Sequence, residues 1–316
     1  MRFQNLRFWF DPRLITELVR RRGFQRAQQI EEHGRERQWF LLCGRAEKER
    51  LLDPTPATLN KLMPPANTSW ADPFLWRHQQ QWFVFCEQWR TDQPHGHIAV
   101  IPLADDGRPA AAAQPVLTLG YHLSYPFLFE HEGTLYMLPE AAGGNAVDVY
   151  RCDEFPHRWC QCATLMRNLR YADATLLEHG GSWWLFLTIR DGPFGLNHDL
   201  FLFRADSPLT DRWEAHPGNP VVRGFTRARP AGRVFELGGQ LLRPSQDCLV
   251  RYGHGLNINQ ILQLDRKRYR ERLARKVAPD WEAGIRANHH IDWRDGLLVM
   301  DAQRLLPLSP PGDGPA

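Results

Sequence analysis

Two rhythms divide this chain. Over residues 11–36 the spacing is helical: Asp11-Pro12 reads as an N-cap followed by proline at the first helical position, and Leu14, Leu18 and, less regularly, Phe24 supply an apolar side. After Trp39 the texture changes to short apolar and aromatic runs separated by Gly, Pro, Asp and Asn, which predicts many short antiparallel strands.

The strands repeat. Ala71-Asp72-Pro73-Phe74-Leu75-Trp76, Ser124-Tyr125-Pro126-Phe127-Leu128-Phe129 and Ala172-Asp173-Ala174-Thr175-Leu176-Leu177 share a form, and residues 230–235 and 288–293 share it more loosely. Each leads into a tight polar turn with Gln80, Gly133, Gly181, Gly239 or Gly296 near its apex, and an apolar strand then returns. Turn-to-turn spacings of 53, 48, 58 and 57 residues suit four-stranded blades with inserted loops. The pattern predicts an all-β fold, a five-bladed β-propeller with an N-terminal helical extension. Residues 1–36 form the extension and 37–306 the propeller, with 37–45 as a strand that closes the last blade; 307–316, rich in Pro and Gly, read as a disordered tail. The competing architecture is an open β-sandwich with chance similarity between hairpins.

Composition narrows the function classes. A net charge of +3 is too small for a nucleic-acid binder, and the runs Arg20-Arg21-Arg22 and Arg266-Lys267-Arg268 read as solvated faces rather than phosphate or membrane patches. The six cysteines contain no C-x-x-C pair and read as buried thiols. No stretch is long and apolar enough to span a bilayer, and Met1–Asn5 begins no apolar leader, so a cytoplasmic location is expected.

In a propeller, one fixed position of every repeat lines a common funnel. Aligning the repeats on their turns puts Asp72, Tyr125, Asp173, Ala231 and Asn288 there. The returning strands end in Glu87, Glu140, Arg190 or Asp191, Gln246-Asp247, and Asp301. Glycoside chemistry needs two carboxyl groups, one to protonate the leaving oxygen and one to attack or to activate water, while a third can hold the acid's pKa up. The candidates are Asp72 as base or nucleophile, Asp173 as tuner and Glu140 as acid. Tyr125, Glu87, Arg229, Arg233, Asp247, His289, His290 and Trp70 are candidates for holding substrate. The arginines equally suit pairing with Asp173 or Asp247. Paired histidines can bind a metal, but His289-His290 lack metal-ligand spacing and read as axial hydrogen-bonding groups; no cofactor is expected, with an axial metal ion as the unsupported alternative.

The succession Ala71-Asp72-Pro73-Phe74, Tyr125-Pro126-Phe127 with Pro139-Glu140, Ala172-Asp173-Ala174-Thr175, Arg229-Pro230-Ala231-Gly232-Arg233 and Arg243-Pro244-Ser245-Gln246-Asp247-Cys248 resembles the N-terminal domain of plant glucosamine inositolphosphorylceramide transferases and its bacterial relatives. The resemblance covers residues from about 68 to 304 and implies a role in building glycoconjugates, with a carbohydrate or glycolipid substrate. In the plant enzymes a separate glycosyltransferase domain follows, and nothing here matches it. A more distant similarity is to family 43 of the glycoside hydrolases, in which an Asp in an Ala-Asp-Pro setting, matched by Asp72, is the base and a later Asp, matched by Asp173, tunes pKa. Ser207-Pro208 with Trp213 looks like that family's outer-blade motif. The family's acidic Glu has no counterpart, because Arg229-Pro230 occupies its neighbourhood; Glu140 is the substitute. Two rivals to an enzyme stand beside it: a non-catalytic glycan-recognition module serving a glycosyltransferase, and a protein-interaction propeller.

Overall fold

Five two-residue turns set the architecture. In the computed structural model, which describes residues 12–141, 143–190 and 194–307, each turn has both central residues at positive φ: Gln79-Gln80 (46° and 69°), Glu132-Gly133, Gly180-Gly181, Gly238-Gly239 and Asp295-Gly296. That is what a type I′ hairpin needs, and its twist matches the strands it joins. The anticipated apex residues are the second of each pair. Glycine supplies this conformation freely, and blade I alone uses Gln80 in its place.

The described strands form five sheets arranged as the blades of a propeller. Blade I runs from Thr68–His78 through Gln81–Arg90 and His97–Leu103 to Gln114–Leu117. Blades II, III and IV repeat this inner-to-outer order, beginning at Leu123–His131, Tyr171–His179 and Phe235–Leu237. Blade V joins the two ends of the chain: Leu297–Pro307 pairs on one side with Ile285–Ala287 and Ile291–Arg294, and on the other with Arg35–Arg45, in register from Arg35↔Pro307 to Arg45↔Leu297. The ring thus closes by main-chain hydrogen bonds.

The core lies between neighbouring blades. Phe74 and Phe85 pack with Phe127 and Leu138 of blade II, Phe186 and Leu202 with Val234 and Ile261 of blade IV, and Leu41 and Val299 with Leu75 and Val84 of blade I. Each such fully buried side chain stabilises by about 1.5–3 kcal/mol. All six cysteines are free; Cys43, Cys86 and Cys248 are buried as expected, but Cys160 and Cys162 are exposed.

The helix α1 (Pro12–Glu31) keeps Leu18 of its expected apolar side half-buried but is held chiefly by charged groups. Ile15, Val19, Phe24 and Ile30 are exposed. It is held through Glu31 and Glu32, which pair with Arg286, and through Arg21, whose guanidinium lies 4.0 Å from the Phe225 ring centroid. No described helix is long and apolar enough to cross a membrane. Asp11 and residues 308–316, on which the cap and most of the expected tail fall, lie outside the described residues.

Candidate functional site

One local device aims three side chains at the axis. In blade I, Ala71 faces Glu87 and the next paired residue is Phe74, facing Phe85; the inner strand holds one extra residue there. The same slip separates Ser124↔Glu140 from Phe127↔Leu138, and Ala172↔Thr188 from Thr175↔Phe186. Within each bulge, Asp72, Tyr125 and Asp173 have φ of 52°, 46° and 53°. Left-handed backbone costs about 1 kcal/mol or more for a residue with a Cβ, and such outliers gather where a side chain must be re-aimed. Ala231 follows the Pro230↔Ser245 bridge and Asn288 follows the Ala287↔Gln303 pair, so both hold the equivalent register. The Asn288 amide donates to Val277 O instead, and Ala231 offers no polar group.

Around the mouth of the funnel the side chains form one network. Asp173 takes a two-point contact from Arg229, Nε to Oδ2 at 2.5 Å and Nη2 to Oδ1 at 3.2 Å, and Gln246 Nε2 donates to the same Oδ2 at 3.0 Å. Glu140 Oε2 accepts from the Asp173 N–H at 3.1 Å and from Arg229 Nη2 at 3.4 Å. Asp72 Oδ2 accepts from the Tyr125 N–H. Its Oδ1 lies 3.7 Å from His289 Nε2 and 3.6 Å from His290 Nδ1 without a hydrogen bond. Asp301 accepts the backbone N–H groups of Asp72, His289 and His290. Its Oδ2 also sits 2.6 Å from His289 Nδ1, misaligned for a hydrogen bond.

Deeper along the axis the funnel is sealed. The Tyr125 hydroxyl meets Thr175 Oγ1 at 2.7 Å, donates toward Gly232 O and accepts from Gly232 N–H, tying blade II to blades III and IV. Glycine is required there, since a Cβ on Gly232 would fall 2.0 Å from Ile291 O. Beyond that, Arg233 bonds Asp292 and Leu128 O, and Asp292 accepts from Leu75 N–H.

These surroundings push the titrating groups apart. Burial and the nearby Asp173 hold the Glu140 carboxyl well above the ordinary carboxylate range. Burial alone would raise Asp72 too, but the His289 and His290 rings beside it outweigh that and hold it at about 2. Burial would lower His289; Asp301 and Asp72 overcome this and raise it to about 9, so it is an imidazolium at neutral pH. Burial opposes the charge on Arg229, and Asp173 more than restores it. Asp72, His289 and Asp301 each offer one ligand-type atom, all within 4.8 Å of one another. A metal there would first have to displace the His289 proton.

The sequence candidates separate accordingly. Asp72, Asp173, Glu140, Arg229, His289 and His290 come together. Tyr125 lies directly beneath as a strut. Glu87 stands at the rim, 3.1 Å from His122. Arg233 belongs to the seal. Asp247 caps the Leu249 N–H, and Trp70 is core, buried with Leu41 and Leu75 while its Nε1 donates to Gln88. The blade III to V counterparts of Glu87 and Glu140 are Thr188, Ser245 and Gln303. Arg190 lies two residues past Thr188, and Asp191 lies outside the described residues. Asp301 and Gln246 reach the network from other ladder positions. The aromatic groups at the mouth are Trp39, stacked on His289 at 4.1 Å, and Tyr252, edge-on to His289 and 4.9 Å from the Arg229 guanidinium. Neither lies in a repeat, so the repeat alignment could not find them.

Residues 55–295 match the family described as glucosamine inositolphosphorylceramide transferase 1, N-terminal. The chain belongs to this family. Among its relatives, glucosamine inositolphosphorylceramide transferase 1 of Oryza sativa subsp. japonica is 33% identical over 259 residues, 77% of this chain and 34% of the relative. The Arabidopsis thaliana protein of the same name is 31% identical over 233 residues, 70% of this chain and 30% of its own length. The chain therefore spans about a third of the length of these curated relatives. In fold it is similar to the catalytic domain of the Coprinopsis cinerea GH62 alpha-L-arabinofuranosidase (TM-score 0.54, 14% identity, 75% of this chain and 90% of that one). It is similarly close to an exo-beta-1,3-galactanase from Clostridium thermocellum (TM-score 0.54, 10% identity, 80% and 66%). At these identities the likeness concerns the fold alone.

Proposed function

We propose that this propeller acts on the sugar headgroup of a glycolipid during its assembly or modification, as a glycosidase- or transglycosidase-like site. Asp72 is the ionised base or nucleophile, Glu140 the protonated acid, and Asp173 with Arg229 the pair that sets the acid's environment. The observation that carries this reading is the divergence of two buried carboxyl groups, Asp72 held at about 2 and Glu140 held well above the ordinary range. Pairs pushed apart in this way mark acid and base roles. The names of the relatives supply the substrate class, and the half-buried Trp39 and the exposed Tyr252 suit a sugar face at the mouth.

A second reading, a glycan-recognition module partnered with a glycosyltransferase, is favoured by Arg229, which already engages both Asp173 and Glu140 Oε2. A screen of glycans, glycolipid headgroups and nucleotide sugars, with Asp72→Asn alongside, separates the two. An enzyme loses turnover by about 10²–10⁴-fold in Asp72→Asn while still binding. A recognition module binds without turnover in either form, and binding to none of the probes sinks both readings. If turnover occurs, it needs Asp72 ionised and Glu140 protonated, so the rate holds above about pH 2 and falls on an alkaline limb set by Glu140.

A further inference from the structure

We infer that the outward face of α1 is a docking surface for an anionic lipid bilayer, holding the mouth of the propeller against the membrane that carries its substrate; this rests on the glycolipid reading above.

The helix is turned inside out. Its acids face the propeller: Glu17 lies beside Gly224, and Glu31 pairs with Arg251 and Arg286. Ile15, Val19 and Ile30 are 54%, 66% and 76% exposed, and Arg22 and Arg26 are exposed between them. The positions 15, 19, 22, 26 and 30 are spaced by three and four residues, so they form one stripe along the helix. No acid lies within this stripe. Water does not favour this arrangement, since a helix that meets only solvent and its own fold would turn Ile and Val inward. Apolar side chains interleaved with arginine and free of acid suit the boundary of an anionic bilayer, where the aliphatic groups enter the acyl region and the guanidinium groups meet phosphates.

Placement argues for lipid as the occupant. Arg251, which grips Glu31, is followed by Tyr252, and Tyr252 borders Arg229 and His289 at the mouth. Arg21 rests on Phe225, whose backbone carbonyl accepts from Cys248 N–H, two residues beyond Gln246 of the site. The helix is thus anchored to the loops that border the site. A headgroup standing out of a surface beneath α1 meets the funnel at its rim. A second basic region, the outer strand Tyr269–Val277 of blade IV, carries Arg270, Arg272, Arg275 and Lys276 and serves as the internal control.

The test is co-sedimentation of the full chain with phosphatidylcholine vesicles, with and without phosphatidylserine. The expected result is binding to the phosphatidylserine vesicles that weakens with added salt. Arg22→Gln/Arg26→Gln then lowers affinity roughly thirtyfold, at about one kilocalorie per mole for each basic residue near the surface. Ile15→Asn/Val19→Asn/Ile30→Asn also lowers it, by at least about tenfold. Both variants touch exposed positions, and unchanged thermal unfolding checks that they fold. Vesicle binding by neither lipid mixture overturns the proposal. So does binding that survives both helix variants, binding lost instead in Arg270→Gln/Arg272→Gln, or self-association that the helix variants abolish, which would make the stripe a contact between copies. The Asp72→Asn protein should dock unchanged. Docking without any recognition of a glycolipid headgroup would sink the proposed function and leave the docking surface standing.

Discussion

Blades I, II and III bring Asp72, Tyr125 and Asp173 to the axis through a single extra residue with left-handed backbone, whereas blades IV and V use longer irregular stretches between their paired positions. In blade IV Pro230 and Phe235 stand five positions apart while their partners, Ser245 and Leu242, stand three apart. The first group contributes Asp72, Glu140 and Asp173. The second contributes the counter-charges Arg229 and His289, together with Asp301, which orients His289. Repetition of the bulge fixes where a side chain arrives; departure from it lets neighbouring blades supply opposite charge at the same depth. Buried carboxylates from one part of the ring are tolerable only because the other part answers them.

The largest test of this division removes the cation. Arg229→Met leaves Asp173 without its two-point partner and is expected to destabilise by about 3–5 kcal/mol in denaturant unfolding. Adding Asp173→Asn should recover a substantial part, because the stranded charge is then gone; no recovery would mean that Arg229 acts through packing. A smaller effect concerns His289. Its folded pKa of about 9 lies above the unfolded value of about 6.5, so its stabilisation is complete below about pH 6.5 and is lost as pH rises through about 9. Thermal unfolding across that window should register a loss on the order of 3 kcal/mol, absent in His289→Gln. Glu140 and His122, both raised above their ordinary values, titrate with the same sign, so a slope left in that variant reads these groups. The smallest effect lies in the hairpins. Gln80→Gly should stabilise blade I by about 0.5 kcal/mol, the relief of left-handed strain partly offset by unfolded-state entropy, while Gly133→Gln should cost blade II about 1 kcal/mol. Equal and negligible shifts would show that the turns do not govern hairpin stability.

Much of this division was legible before any coordinates. The five turn residues announced the hairpins because type I′ geometry demands a narrow set of residue types. Asp72, Tyr125 and Asp173 were legible because repetition marks one ladder position. Thr188, Ser245 and Gln303 were harder to place, since strand ends carry no marker and bulges shift the count. Trp70, with the same aromatic character as Trp39, went to the core, while Trp39 reached the mouth by stacking on His289. The helix was legible only in part: Leu18 is half-buried while Phe24 is exposed, and the ion pairs from Glu31 and Glu32 to Arg286, which no local pattern announces, anchor the helix end.

What the sequence by itself determined is local in origin: turn chemistry, strand alternation and a repeat whose length admits five blades, each specified by residues near one another in the chain. Only the tertiary structure decided which charges meet. Asp173 and Arg229 are 56 residues apart, and Asp72 and Asp301 are 229 apart. Their protonation states follow from burial and from partners on other blades, and neither exists until the ring has closed.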